Sequence, residues 1–266
     1  MAWYHAIELP GGIVTPGHFN TLEERERVPL PASLAGKRCL DVGTADGFWA
    51  FEMERRGALE VVAIDVDRVD DYDWPGNVDA AEHDRFTRDH PSHKRAFELA
   101  HRALDSKVER HDLRVYDLDP DGLGRFDFAF MGSLLLHLRD PVGAAAAVRK
   151  VLTHDAELLS VDSISPLLTA LHPRQPVARL EAPGWPLWWV MNLTAYRRIF
   201  PAAGFEVTAA GRPFRLRPGP AYHSKPRSKR HLYGLIQPIV ARSQGVPHAW
   251  LRARPSPSGA PPPGRW

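Results

Sequence analysis

Hydrophobic and polar positions divide the chain into two regimes. Residues 1–36 are interrupted by Pro10, Gly11, Gly12, Pro16, Gly17, Pro29 and Pro31. Backbone so often punctuated holds no long regular element, so this stretch reads as an extended arm or lid with one short helix near Thr21–Arg27. From Lys37 the apolar residues become periodic. Lys37–Val42 is a short apolar run ending at glycine, Phe48–Arg56 has helical spacing and stops before Gly57, and Val61–Asp65 is β-branched.

The same alternation continues downstream. Residues 66–92 are polar and acidic and read as a long insertion, with Trp74-Pro75-Gly76 as a turn. A helix is expected over His93–Leu104, strands over Val108–Tyr116 and Phe126–Met131, an Ala-rich helix over Val142–Leu152 and a strand over Ala156–Asp162. Then come a helix over Leu193–Ala203, a strand over Phe205–Ala210, a second insertion at 213–245 with a helix over Ser228–Ser243, and a last strand over His248–Ala253. The proline-rich segment 255–266 has too little apolar surface to fold and is expected to be a disordered tail. Strands alternating with helices predict an α/β protein, a doubly wound and mostly parallel sheet with helices on both faces, over residues 37–254.

Composition changes this picture in two places. The net charge of +2 hides an asymmetry: after residue 170 the acids are Glu181 and Glu206, against fifteen Lys and Arg. A basic C-terminal third favours anionic partners, RNA among them, although Lys225, Arg227, Lys229 and Arg230 read equally as a solvated helix face. Cys39 is the only cysteine, so no disulfide framework exists. With no signal-peptide pattern and no apolar run near 18 residues, the expected location is the cytoplasm, away from membranes.

In such sheets ligands sit beyond the C-terminal ends of the strands, which directs attention to Asp41-Val42-Gly43-Thr44-Ala45-Asp46-Gly47-Phe48. A dinucleotide fingerprint starting at Gly43 requires glycine at 45 and 48, where the chain has Ala45 and Phe48. The register that fits is an acid, Asp41, two residues before Gly43, followed by Ala45 and Gly47. Asp65 ends the next strand, where an ionised carboxylate can accept both ribose hydroxyls of a nucleoside.

These residues, with VYDLD (115–119) and FDFAFMGSLLLHLRDP (126–141), resemble the class I S-adenosylmethionine-dependent methyltransferases. The resemblance covers residues 37–163 well and 190–212 loosely. It implies a Rossmann-like fold with a seven-stranded sheet, the last strand antiparallel, and S-adenosylmethionine as cofactor. It further implies that Asp41, Gly43, Thr44, Ala45, Gly47 and Asp65 line the cofactor. Asp117 and Leu118 would then meet the adenine, with Asp119 a rival for that role. Gly132 and Ser133 would border the methionine moiety, and His137 would face the methyl acceptor as a general base. A weaker similarity, through WYHAIELPGGIVTPG (3–17) and GSLLLHLRDP (132–141), is to the branch near the tRNA wobble-uridine carboxymethyltransferases. That branch's N-terminal lysine has no counterpart before Lys37, so plain methyl transfer is implied.

The acceptor is read from aromatic residues. Trp3 and His5 in the arm and Trp185 and Trp189 in GWPLWWVMN (184–192) are candidates to wall a planar substrate, or simply to pack. The expected acceptor is an oxygen or nitrogen on a small molecule. The alternatives are a tRNA base and a catalytically silent nucleoside-binding module. The histidines at 83, 90, 93, 101 and 111 lack a repeated ligand spacing, so no metal is expected.

Overall fold

A computed structural model describes residues 2–76, 78–89, 93–181, 186–222 and 245–257. The chain opens with a short hairpin, β1 (Glu8–Leu9) and β2 (Ile13–Val14), and one turn of helix, α1 (Thr21–Glu24). The alternating region follows as β3 (Arg38–Val42), α2 (Phe48–Arg55), β4 (Glu60–Asp65), α3 (Ala80–Asp89), α4 (Lys94–Ala103), β5 (Glu109–Asp112), α5 (Pro120–Leu123), β6 (Phe126–Gly132), α6 (Pro141–Lys150) and β7 (Leu152–Ser163). The remainder runs α7 (Pro166–Leu171), β8 (Ala178–Leu180), β9 (Trp189–Met191), α8 (Leu193–Ala202), β10 (Phe205–Ala210), β11 (Phe214–Leu216) and β12 (Val246–Pro255).

Seven strands form one path in the order β10-β12-β7-β6-β3-β4-β5, and β11 adds an eighth, short strand beside β12. β3, β4, β5, β6 and β7 pair in parallel, whereas β12 is antiparallel to both β7 and β10. The order reverses between β3 and β6, and a crevice opens at such a switch point beyond the strand ends. Both faces of the sheet are covered, so the central strands alternate between two apolar cores rather than between core and water. Leu40, Val42, Val62, Ile64, Ala129 and Met131 face the core under α6 and α8. Cys39, Val61, Ala63, Phe128 and Phe130 face the core under α2 and α4.

Most expected elements are present within a residue or two. The differences have local causes. The segment 66–92, read as a loop, contains α3, whose one buried apolar residue, Phe86, leaves little periodicity to detect. The strand expected over Val108–Tyr116 ends at Asp112, because Val115–Asp117 closes into a 3-10 turn. The β8–β9 hairpin and α7 were not anticipated; β8 is exposed at every residue and α7 buries none. The last strand runs on to Pro255, with Ser256 N–H bonded to the Gly204 carbonyl at 2.9 Å, so residues 255 and 256, expected to be part of a tail, are held against the sheet. The helix expected over Ser228–Ser243, the cluster at Lys225–Arg230 and residues 258–266 lie outside the described residues.

Residues 2–20 do not extend away from the sheet. Ala6 N–H bonds the Phe19 carbonyl at 3.1 Å, and this strap meets the segment after β11 through Asn20 N–H to the Arg217 carbonyl (3.0 Å) and Gly219 N–H to the His18 carbonyl (2.8 Å). Strap and segment together roof the crevice.

Gly47 caps α2 at φ +93°, and a Cβ there would lie 2.6 Å from the Phe51 ring and 2.7 Å from Phe97. Gly47→Ala is expected to destabilise the protein by about 2–5 kcal/mol, from a left-handed penalty of about 1–2 and an overpacking cost of about 1–3. Urea denaturation measures it.

Candidate functional site

The turn after β3 is held by β4. Gly43 and Thr44 N–H groups both donate to the Ile64 carbonyl, at 2.9 and 3.1 Å. Three of its residues take left-handed backbone: Gly43 (φ +75°), Ala45 (+50°) and Gly47 (+93°). Ala45 therefore stands where glycine is unstrained, at a cost of about 1–2 kcal/mol. Its N–H donates to Asp65 Oδ2 at 2.7 Å, while Asp65 Oδ1 accepts the Val66 N–H at 2.8 Å. The half-buried Asp65 carboxyl retains lone pairs beyond these two bonds. Burial raises its pKa. Asp41, beneath the turn, accepts the Thr44 hydroxyl at 2.7 Å, and burial pushes its carboxyl up to about 7.

Asp46 ties the N-terminal strap down. It has no exposure, and its Oδ2 accepts the Tyr4 and His5 N–H groups at 2.7 and 2.9 Å. Its Oδ1 is bonded to His5 Nδ1. Burial alone would raise Asp46, but the His5 charge and hydrogen bond, with His93 nearby, hold it below the usual carboxylate range. The His5 ring in turn lies on Phe48, with centroids 5.5 Å apart. Large Phe48 thus supports the strap.

Tyr4 crosses from this anchor to the far side of the crevice, where its phenol comes close to Ser133. Burial raises the phenol, which stays neutral. Its ring lies parallel to His18 at 5.9 Å and edge-on to Phe19 at 5.4 Å, and Tyr222 reaches His18 at 4.6 Å. Ser133 follows β6 at φ +51°, a left-handed conformation unusual for serine, and its Oγ is 3.2 Å from His248 Nε2 on β12. Asp162, at the end of β7, accepts the Leu135 and Ser163 N–H groups at 2.8 and 2.7 Å; burial pushes it up to about 7.

The loop carrying His137 is clamped from outside. His137 Nδ1 donates to the Pro186 carbonyl at 2.6 Å, and Trp188 N–H donates to the Leu136 carbonyl at 2.8 Å. The Trp188 indole donates to the Asp73 carbonyl at 2.7 Å. The buried Asp73 carboxylate accepts Arg139 N–H (2.8 Å), Tyr116 hydroxyl (2.7 Å) and Arg114 (3.3 Å). The acidic insertion is thereby joined to three other loops of the rim.

The structure brings Asp41, Gly43, Thr44, Ala45, Gly47, Asp65, Gly132 and Ser133 to the adjoining ends of β3, β4 and β6. Asp117 is exposed at the end of its 3-10 turn, and the Leu118 side chain is buried in the core, so only its backbone can line the crevice. Asp119 caps α5 through the Asp121 N–H at 3.1 Å. Trp3 packs on the α2 core and Trp189 on the opposite one, its indole donating to the Arg139 carbonyl at 3.4 Å. His5 faces Asp46 in the glycine turn. Trp185 lies outside the described residues. Sequence reasoning gave no role to Asp46, Asp73, Asp162 as a loop anchor, or His248, whereas Tyr4 stands with Trp3 and His5 in the arm read as a lid. Asp46 stood inside the marked glycine turn, yet nothing local set it apart.

Asp41 and Asp162 set a pH dependence. Their folded pKa values lie above those of the unfolded chain, so the folded protein keeps protons that the unfolded chain releases between about pH 4 and 7. Stability is therefore lost as pH rises through that window. Asp41→Asn is expected to flatten the fall relative to the parent, read as urea midpoints from pH 4.5 to 7.5; an unchanged slope would show that Asp41 is already ionised there.

Comparison with known proteins places this geometry. The sequence profile of the family described as Methyltransferase domain matches residues 21–210. No curated protein matches the chain significantly. Among solved structures, the Burkholderia thailandensis 1,6-didemethyltoxoflavin-N1-methyltransferase, bound to 1,6-didemethyltoxoflavin and S-adenosylhomocysteine, is 16% identical with a TM-score of 0.50, over 84% of this chain and 72% of that one. A Listeria monocytogenes protein described as a candidate S-adenosylmethionine-dependent methyltransferase is 14% identical with a TM-score of 0.51, over 88% and 97%. A Pyrococcus horikoshii protein is 14% identical with a TM-score of 0.52, over 91% and 96%. At these identities the structural likeness speaks for the fold, and the family match speaks for the chemistry: the chain belongs to the methyltransferase domain family, enzymes whose methyl donor is S-adenosylmethionine.

Proposed function

We propose that the protein methylates an oxygen or nitrogen on the ring of a small molecule. The observation that carries this reading is the roof. Tyr4 and His5 are folded onto Asp46, Tyr4 comes close to Ser133, and Tyr4, His18 and Tyr222 pack as one aromatic cluster. A crevice roofed in this way suits a flat molecule better than a folded nucleic acid. The Burkholderia structure, with a small molecule and S-adenosylhomocysteine together, supports the same substrate class.

The donor set fits the cofactor. Asp65 offers carboxylate lone pairs for ribose hydroxyls, and the Gly43 backbone leaves room that a Cβ would fill against Leu134, 3.2 Å away. Gly132 and Ser133 would border the methionine moiety, and the adenine would lie past the end of β5, near Asp117 and the Leu118 backbone. When bound, the cofactor supplies a methyl group on a sulfonium, already activated for in-line displacement. The protein's part is alignment and exclusion of water, for which oriented proximity contributes about 7–11 kcal/mol. His137, with Nδ1–H held by Pro186, carries its lone pair on Nε2 and is the general base in this reading.

Two measurements test the proposal. S-adenosylhomocysteine at about 100 times its dissociation constant is expected to add roughly 2.7 kcal/mol of stability. Asp65→Ala is expected to abolish most of that gain, and a full gain in the variant would place the ribose elsewhere. Transfer of labelled methyl from S-adenosylmethionine to a panel containing 1,6-didemethyltoxoflavin, phenols and azoles is expected to exceed transfer to bulk tRNA. In the panel assay His137→Ala should cost about 10²–10⁴-fold in rate. Label incorporated into tRNA alone would replace this acceptor class by RNA, and binding without any transfer would favour a silent module.

A further inference from the structure

The hydrogen bonds behind Ser133 have a fixed direction. His248 is 2% exposed, and its Nδ1 lies 2.9 Å from the Val246 carbonyl, an oxygen that only accepts. Nδ1 therefore carries the proton. Burial lowers the imidazole pKa to about 4, so it is neutral at ordinary pH and its Nε2 is bare. Ser133 Oγ, 3.2 Å from Nε2, must then send its single proton to His248. What remains on Ser133 is two lone pairs. The neutral Tyr4 phenol lies beside them. The left-handed backbone at Ser133 and the ring contacts of His248 with Phe19 (6.2 Å) and Phe214 (6.1 Å) hold both side chains in place.

We infer that His248 is a positioning residue that locks the Ser133 hydroxyl as a hydrogen-bond acceptor for the proton-bearing N–H or O–H atom of the methyl acceptor. This rests on the reading that Ser133 borders the reacting end of the cofactor. The consequence is discrimination between substrate and product. On binding, before His137 withdraws the proton, an acceptor bearing it completes the chain Val246–His248–Ser133–acceptor. A phenol O–H or a ring N–H, once methylated, has no proton to give and leaves a Ser133 lone pair unmet, which favours departure of the product.

Phenol and anisole are a probe pair that differ in this proton. The test uses the full chain with ¹⁵N-labelled histidine, saturated with S-adenosylhomocysteine and titrated with each probe. The unbound complex should show His248 protonated at Nδ1. Phenol should shift the Nε2 resonance and bind at least about tenfold tighter than anisole, a factor that corresponds to about 1.4 kcal/mol. Ser133→Ala and His248→Phe should each erase that preference at saturating S-adenosylhomocysteine. Equal binding of the two probes, a His248 signal unmoved by phenol, or a proton on Nε2 would overturn the inference. Failure of the unmutated protein to bind S-adenosylhomocysteine would instead remove the cofactor reading beneath it.

Discussion

Asp46 is the constraint around which the site is organised. A carboxylate without exposure is tolerated only when its charge and lone pairs are met, because an unpaired buried charge costs several kcal/mol. Its partners are the backbone and ring of Tyr4 and His5, about forty positions earlier in the chain. Satisfying Asp46 therefore requires the strap to lie across the glycine turn. Once there, Tyr4 reaches Ser133 and Phe19 reaches His248, and the two sides of the switch point are joined.

The same device recurs at the outer rim. Asp73 comes from the acidic insertion, yet its bonds run to Arg114, Tyr116 and Arg139, and its carbonyl holds Trp188. These loops follow different strands and share no local sequence logic. A buried carboxylate with several donors gives them one common fixed point. The His137 loop lies inside this clamp, so its geometry depends on a residue more than sixty positions away. Asp162 performs the corresponding task from beneath, through Leu135.

The turn after β3 shows how a departure from pattern is accommodated. Ala45 accepts left-handed backbone that glycine would adopt without strain, and its N–H is rewarded by Asp65. Asp65 thus closes the turn from the end of β4. Its partner Asp41 stays below, bonded to Thr44, where burial favours the protonated form.

The alternation of apolar runs with helical spacing determined the sheet, its covered faces and the crevice at its reversal, because period and punctuation are local properties. It also determined the glycine turn, since Gly43, Ala45 and Gly47 are separated by fixed steps and Phe48 excludes the dinucleotide register. Elements without an apolar stripe, α3 and the β8–β9 hairpin, were invisible to that reading because little of them is buried. What only the tertiary structure decided is which polar side chains meet. Asp46, Asp73 and His248 carry no signature where they stand in the sequence. Their roles come from burial, which makes an unmet charge or proton costly, and burial is assigned by how distant segments pack. His5 and Trp189 attracted attention as aromatic candidates, yet packing turned one toward Asp46 and the other onto the core.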